Sequence, residues 1–125
     1  MNKNLTITSV IGLITIILGA FGAHALAKTL TIEGMNSFET AVRYQMFHVI
    51  VLLFVNTYKG FSVKQQSRIS KFFFVGILLF SGSIYAIQLL NVSAKTIWFI
   101  TPLGGLLLIL GWLFMAIGFA KRNQQ

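Results

Sequence analysis

Hydrophobic and polar positions divide the chain into four long apolar stretches joined by short polar segments. The stretches run from about Leu5 to Leu26, Tyr44 to Tyr58, Phe72 to Leu90 and Ile97 to Ala120, and none contains Lys, Arg, Asp or Glu. A bilayer crossing takes about 20 apolar residues. Lipid offers no partner to a free backbone amide, so each stretch is predicted to be a helix. The second stretch is the shortest. It extends backwards through residues 36–43, where Asn36 and Glu39 have capping-box spacing and Glu39 and Arg43 stand at i, i+4 as an interfacial ion pair. Thr31 to Gly34 is then the expected bend. The fold class is all-α: one domain over residues 1–125, an integral membrane bundle of four transmembrane helices.

Charge fixes the expected orientation. Lys3, Lys59, Lys64, Arg68, Lys71, Lys121 and Arg122 lie on the side shared by both termini and the middle loop, against Lys28, Arg43 and Lys95 on the other. Seven of ten cations on one side place both termini in the cytoplasm. Residues 59–71 read as a loop, and Lys59, Lys64, Arg68 and Lys71 in it are candidates for contact with anionic lipid. Lys3, the apolar run from Leu5 to Ala23 and then Ala23-His24-Ala25-Leu26-Ala27 also have the outline of a cleavable signal peptide. That apolar run is longer than the usual h-region of 7–15 residues, so retention is expected.

Small residues recur at helical spacing within the stretches. Gly12, Gly19 and Ala23 fall on one face of the first, Gly76 and Ser83 are seven apart on the third, and Gly104, Gly111 and Gly118 form a heptad seam on the fourth. Helices in lipid associate where such residues admit close approach, so these are packing positions in a compact bundle. Pro102 costs nothing if the fourth helix starts near Thr101. Trp98 and Tyr58 are interface anchors, and Trp112 lies deep, as a core residue.

Composition narrows the chemistry. The net charge is +8, but the cations are scattered between hydrophobic spans and form no aromatic-studded face, so no nucleic-acid partner is expected. There is no cysteine, which excludes thiolate metal sites and disulfides, and Glu33 and Glu39 are the only acidic residues. Catalysis by paired carboxylates has no basis here, and no G-x-S-x-G elbow occurs. No enzyme activity, metal or cofactor is expected.

Polar residues are unevenly distributed across the membrane. The outward half receives His24, Tyr44, Gln45, His48, Ser81, Ser83, Tyr85, Gln88 and Thr101; the inward half receives Thr6, Thr8, Ser9, Asn56 and Thr57 near the interface. Polar groups in lipid face the bundle, so an outer-half polar cluster is the candidate site, with His24 and His48 at comparable depths. The expected function is that of a non-enzymatic structural, scaffold or binding protein, alone or with a homo-oligomeric or membrane-protein partner. One alternative is an outer-facing pocket for a small ligand or a b-type haem held by two imidazoles. A further alternative is an oligomeric small-solute or proton transporter, although acid-driven exchange lacks its embedded carboxylate.

Four blocks carry a family resemblance: Gly19 to Leu26, Glu39 to His48, Phe80 to Tyr85, and Thr101 to Gly105 continuing to Gly111-Trp112. In this order they resemble the YgdD/YwdK family of small bacterial membrane proteins, the domain of unknown function four-two-three. Members often have Gly where this chain has Ala25. The resemblance implies an inner-membrane protein with four spans and a retained first span. It implies no substrate, cofactor or functional residue.

Overall fold

The computed structural model describes residues 2–122, and these form four long helices. Helix α1 spans Lys3–Leu26, α2 Ile32–Thr57, α3 Val63–Leu89 and α4 Ile100–Arg122; each is long and apolar enough to cross a membrane.

Local capping sets boundaries that differ from those expected from hydropathy. Helix α2 begins at Ile32, twelve residues before the apolar stretch at Tyr44, because Thr31 is extended and its hydroxyl accepts the Gly34 amide at 3.0 Å. The capping box expected at Asn36 and Glu39 is therefore replaced by an earlier cap, and Glu33 lies in the first turn, where the helix dipole favours an acid. At 26 residues α2 is about 39 Å long, more than the hydrocarbon thickness.

Helix α3 begins nine residues before Phe72, at Val63. Ser62 and Gln65 form a reciprocal capping box: the Gln65 amide donates to Ser62 Oγ at 3.2 Å, and the Ser62 amide donates to Gln65 Oε1 at 2.8 Å. Most of the expected loop is thus helical, and only Tyr58 to Ser62 connect α2 to α3. At the far end of α3, Asn91 takes the left-handed conformation (φ 56°), and the Val92 amide returns to the Ala86 carbonyl at 3.1 Å. Helix α4 starts at Ile100 instead of Ile97, which leaves Pro102 in the first turn without a lost hydrogen bond.

Packing follows chain order, α1 on α2, α2 on α3 and α3 on α4, with the α3–α4 seam the most extensive. Glycine explains that seam. A Cβ on Gly104 would lie 2.3 Å from the Phe80 amide nitrogen, and one on Gly76 would meet Leu108 at 2.6 Å. Gly111 fits against the Phe73 ring and Gly118 against Phe61, so the heptad seam on α4 is a tight one. Leu52, Val55, Phe61, Ile69, Phe73, Ile77, Leu108 and Met115 form the apolar core among α2, α3 and α4.

Helix α1 is differently held. Thr8 and Thr15 are its only fully buried described residues, whereas Leu13, Ile16 and Phe21 face outwards. Within the four-helix bundle expected from sequence, α2, α3 and α4 form the core and α1 is strapped along α2. Within α1, Leu18–Gly22 form one π-helical turn in which the Ala23 amide donates to the Leu18 carbonyl. This turn places Gly19 and Gly22 against Val42 and Phe38 of α2.

Candidate functional site

Helix α2 carries the buried polar residues that connect the bundle. Gln45, His48 and Asn56 recur on its inward face, each nearly inaccessible, and each bonds to a different set of neighbours. Buried polar groups in an apolar medium require such partners.

Gln45, 4% exposed, joins three helices. Its Nε2 donates to Thr15 Oγ1 of α1 at 2.7 Å and to the Ile11 carbonyl at 3.4 Å, while its Oε1 accepts from the Tyr85 hydroxyl of α3 at 2.7 Å. Phe38 packs on the Tyr85 ring, with centroids 5.7 Å apart.

His48, 6% exposed, has both ring nitrogens occupied. The Trp112 indole N–H of α4 donates to His48 Nε2 at 3.1 Å, and His48 Nδ1 lies 2.6 Å from the Tyr44 carbonyl. Indole is a donor only, so Nε2 must carry the lone pair and Nδ1 the proton, which it donates to Tyr44 O. This is a neutral imidazole with a defined tautomer. Phe73 lies against it, at 5.3 Å between ring centroids. Trp112 is thus half exposed with its indole edge turned to His48, not the enclosed core residue expected.

Asn56 forms a third group towards the end that carries the termini. Its Oδ1 accepts from Asn4 Nδ2 of α1 at 3.0 Å, and its Nδ2 donates to Ser70 Oγ of α3 and to the Leu52 carbonyl, both at 2.9 Å. Close by, Gln66 Nε2 donates to the Tyr58 carbonyl at 3.0 Å. Asn4 and Ser70 fall outside the apolar stretches and Thr15 in the middle of one, so hydropathy gave no reason to group them. Their signal was the exact complement of hydrogen-bonding side chains at the level of Asn56 and Gln45 once helix lengths are known.

The predicted outer-half cluster resolves into separate groups. Ser81 Oγ donates to the Ala41 carbonyl at 2.7 Å, tying α3 to α2. Ser83 and Thr101 are hydrogen-bonded to each other across α3 and α4, and Ser83 also donates to the Phe80 carbonyl at 3.0 Å. Gln88 lies beside Gly34, near the start of α2. Tyr44 is 41% exposed and stacks on Phe80 at 5.0 Å. His24 is exposed and joins none of these groups.

The two histidines are not at comparable depths. Gly12 faces Val49, so His48 is level with about residue 12 of α1, roughly 18 Å along that helix from His24. The reason is the early start of α2, which puts His48 mid-helix instead of one turn below an end. The expected Glu39–Arg43 ion pair does not form either. Both side chains are exposed, where a pair gains little and costs side-chain freedom. They border a small cavity of about 190 Å³ with Gly19, Ala23, Phe38 and Val42, next to an apolar groove of about 470 Å³ between α1 and α2.

Among the described residues no buried side-chain nitrogen or oxygen lacks a partner, and no group of three or more His, Asp or Glu could hold a metal ion. Haem ligation by His48 would displace Trp112, and His24 is too distant to supply the second imidazole. The arrangement is chemically suited to holding helices in register.

Comparison with known proteins agrees with this membrane architecture. The chain is 37% identical to a UPF0382 membrane protein of Haemophilus influenzae over 127 residues, covering 98% of each chain. It is 37% identical to the UPF0382 inner membrane protein YgdD of Escherichia coli K12 over 129 residues, 97% of this chain and 92% of that one. A UPF0382 membrane protein of Staphylococcus saprophyticus is 39% identical over 103 residues, 82% of this chain and 84% of the relative. No solved structure matches. Residues 18–105 match the family described as "Protein of unknown function (DUF423)". With four apolar spans and relatives of this kind along nearly its whole length, the chain belongs to the DUF423 family and is a multi-pass inner-membrane protein.

Proposed function

We propose that this protein is a non-enzymatic scaffold or binding protein of the inner membrane, with both termini in the cytoplasm. The observation that carries the reading is the saturation of the buried polar groups by one another. Gln45, His48 and Asn56 direct their hydrogen bonds to Thr15, Tyr85, Trp112, Asn4 and Ser70, and among the described residues no buried side-chain nitrogen or oxygen is left without a partner. The orientation is supported by the seven cations at the end that carries the termini.

Purification in mild detergent, followed by an absorption spectrum and a native mass, tests the reading. We expect no Soret band and a mass accounted for by protein, lipid and detergent, with or without a co-purifying membrane protein. A stoichiometric chromophore, or ion flux in proteoliposomes, would overturn it in favour of a haem or transport role. A C-terminal alkaline phosphatase fusion is expected to be inactive; an active fusion would reverse the orientation.

A further inference from the structure

The helical start of α3 gives the basic residues at the termini end a fixed geometry. Lys64 and Arg68 stand at i, i+4 on its first turns, beside Lys121 in the last turn of α4. All three border a groove of about 370 Å³ between α3 and α4 whose apolar wall includes Ile69, Phe114 and Ile117. The Arg68 guanidinium lies 5.5 Å above the Phe114 ring centroid, which holds its charge at the groove instead of leaving it free in solvent. The chain's two acidic side chains, Glu33 and Glu39, are near the start of α2, at the opposite end of the bundle.

We propose that this groove binds one anionic phospholipid, with its phosphate among Lys64, Arg68 and Lys121 and an acyl chain against Phe114 and Ile117. The charge is complementary to a phosphodiester, and the apolar wall continues into the span, as a lipid requires and a free phosphate does not. Basic pockets between transmembrane helices are suited to such headgroups. The inference deepens the binding reading above by naming a ligand class. Its site does not depend on orientation, so the fusion experiment can fail while this one succeeds.

Native mass spectrometry of the full chain in detergent tests it, with phosphatidylglycerol and phosphatidylethanolamine of identical acyl chains as probes. Phosphatidylglycerol is expected to be retained about tenfold better. The double variant K64Q/K121Q should abolish that preference, whereas K59Q/K71Q, which removes the same charge outside the groove, should keep it. The single variant K121Q, expected to reduce the preference severalfold, serves if the first double variant does not fold. Equal retention of the two lipids, or equal loss in both double variants, would overturn the proposal in favour of a diffuse basic surface. Displacement of the lipid by millimolar inorganic phosphate would overturn it in favour of a soluble-anion site.

Discussion

The α3–α4 and α1–α2 seams join helices in the same apolar medium by different means. Between α3 and α4 the backbones approach so closely that Gly104 has no room for a methyl group, and Ser83–Thr101 is the side-chain hydrogen bond that crosses. Between α1 and α2 the glycines meet only side-chain ends, Val49 at 3.3 Å from a Cβ on Gly12 and Val42 at 3.2 Å from one on Gly19. There, Thr15–Gln45 and Asn4–Asn56 supply the specificity. Without a hydrophobic drive between helices, a seam needs either interlocking backbone or polar bonds. The contrast teaches that glycine periodicity alone does not measure how tightly two helices pack.

The sharpest way to break the comparison is Gly104→Ala. The added methyl would clash with the backbone at Leu79 and Phe80, which cannot step aside as a side chain can. A loss of about 2–3 kcal/mol is expected, read as a lower midpoint of thermal or denaturant unfolding in detergent. A midpoint equal to wild type would remove the tight seam from the account.

Next in size is Gln45→Ala, expected to cost about 1–2 kcal/mol, since Thr15 and Tyr85 both lose their shared partner. Its signature should be local: hydrogen exchange in α1 should rise while α3–α4 stays protected. Uniform loosening of all four helices would contradict the separation of the two seams. Trp112→Phe keeps the ring contact with Phe73 but leaves His48 Nε2 without its donor. About 0.5–1 kcal/mol should be lost, and His48→Ala in the Trp112→Phe background should cost less than it does in wild type. Strict additivity of the two substitutions would argue against the pairing. Gly12→Ala is the smallest, within about 0.5 kcal/mol of wild type, because the Val49 methyl can yield by a few tenths of an ångström. A loss as large as that of Gly104→Ala would erase the contrast altogether.

Much of the fold was legible before any tertiary information. Four uncharged apolar runs imply four helices, and the spacing of Gly104, Gly111 and Gly118 marks one face of α4. The S-x-x-Q spacing of the Ser62–Gln65 capping box was passed over in the sequence, where residues 59–71 read as a loop: hydropathy drew the boundary at Phe72 because Lys64, Arg68 and Lys71 outweigh Ile69 in an apolar average. The candidate site was less legible. Gln45, His48 and Tyr85 could be picked out as polar residues in spans, but depth was counted from the hydropathic edge at Tyr44 although the helix extends back to Ile32, and this carried His24 into a cluster it does not join.

By itself, then, the sequence determined what depends on the solvent and on nearest neighbours along the chain. Apolar length sets the number of crossings, the distribution of Lys and Arg sets the expected sidedness, and capping residues set where helices begin. Only the tertiary structure decided which polar side chains meet. A hydrogen bond needs two atoms within about 3 Å, and residues as far apart in the chain as Asn4, Asn56 and Ser70 reach that separation only when the lengths, relative heights and rotations of three helices are settled together.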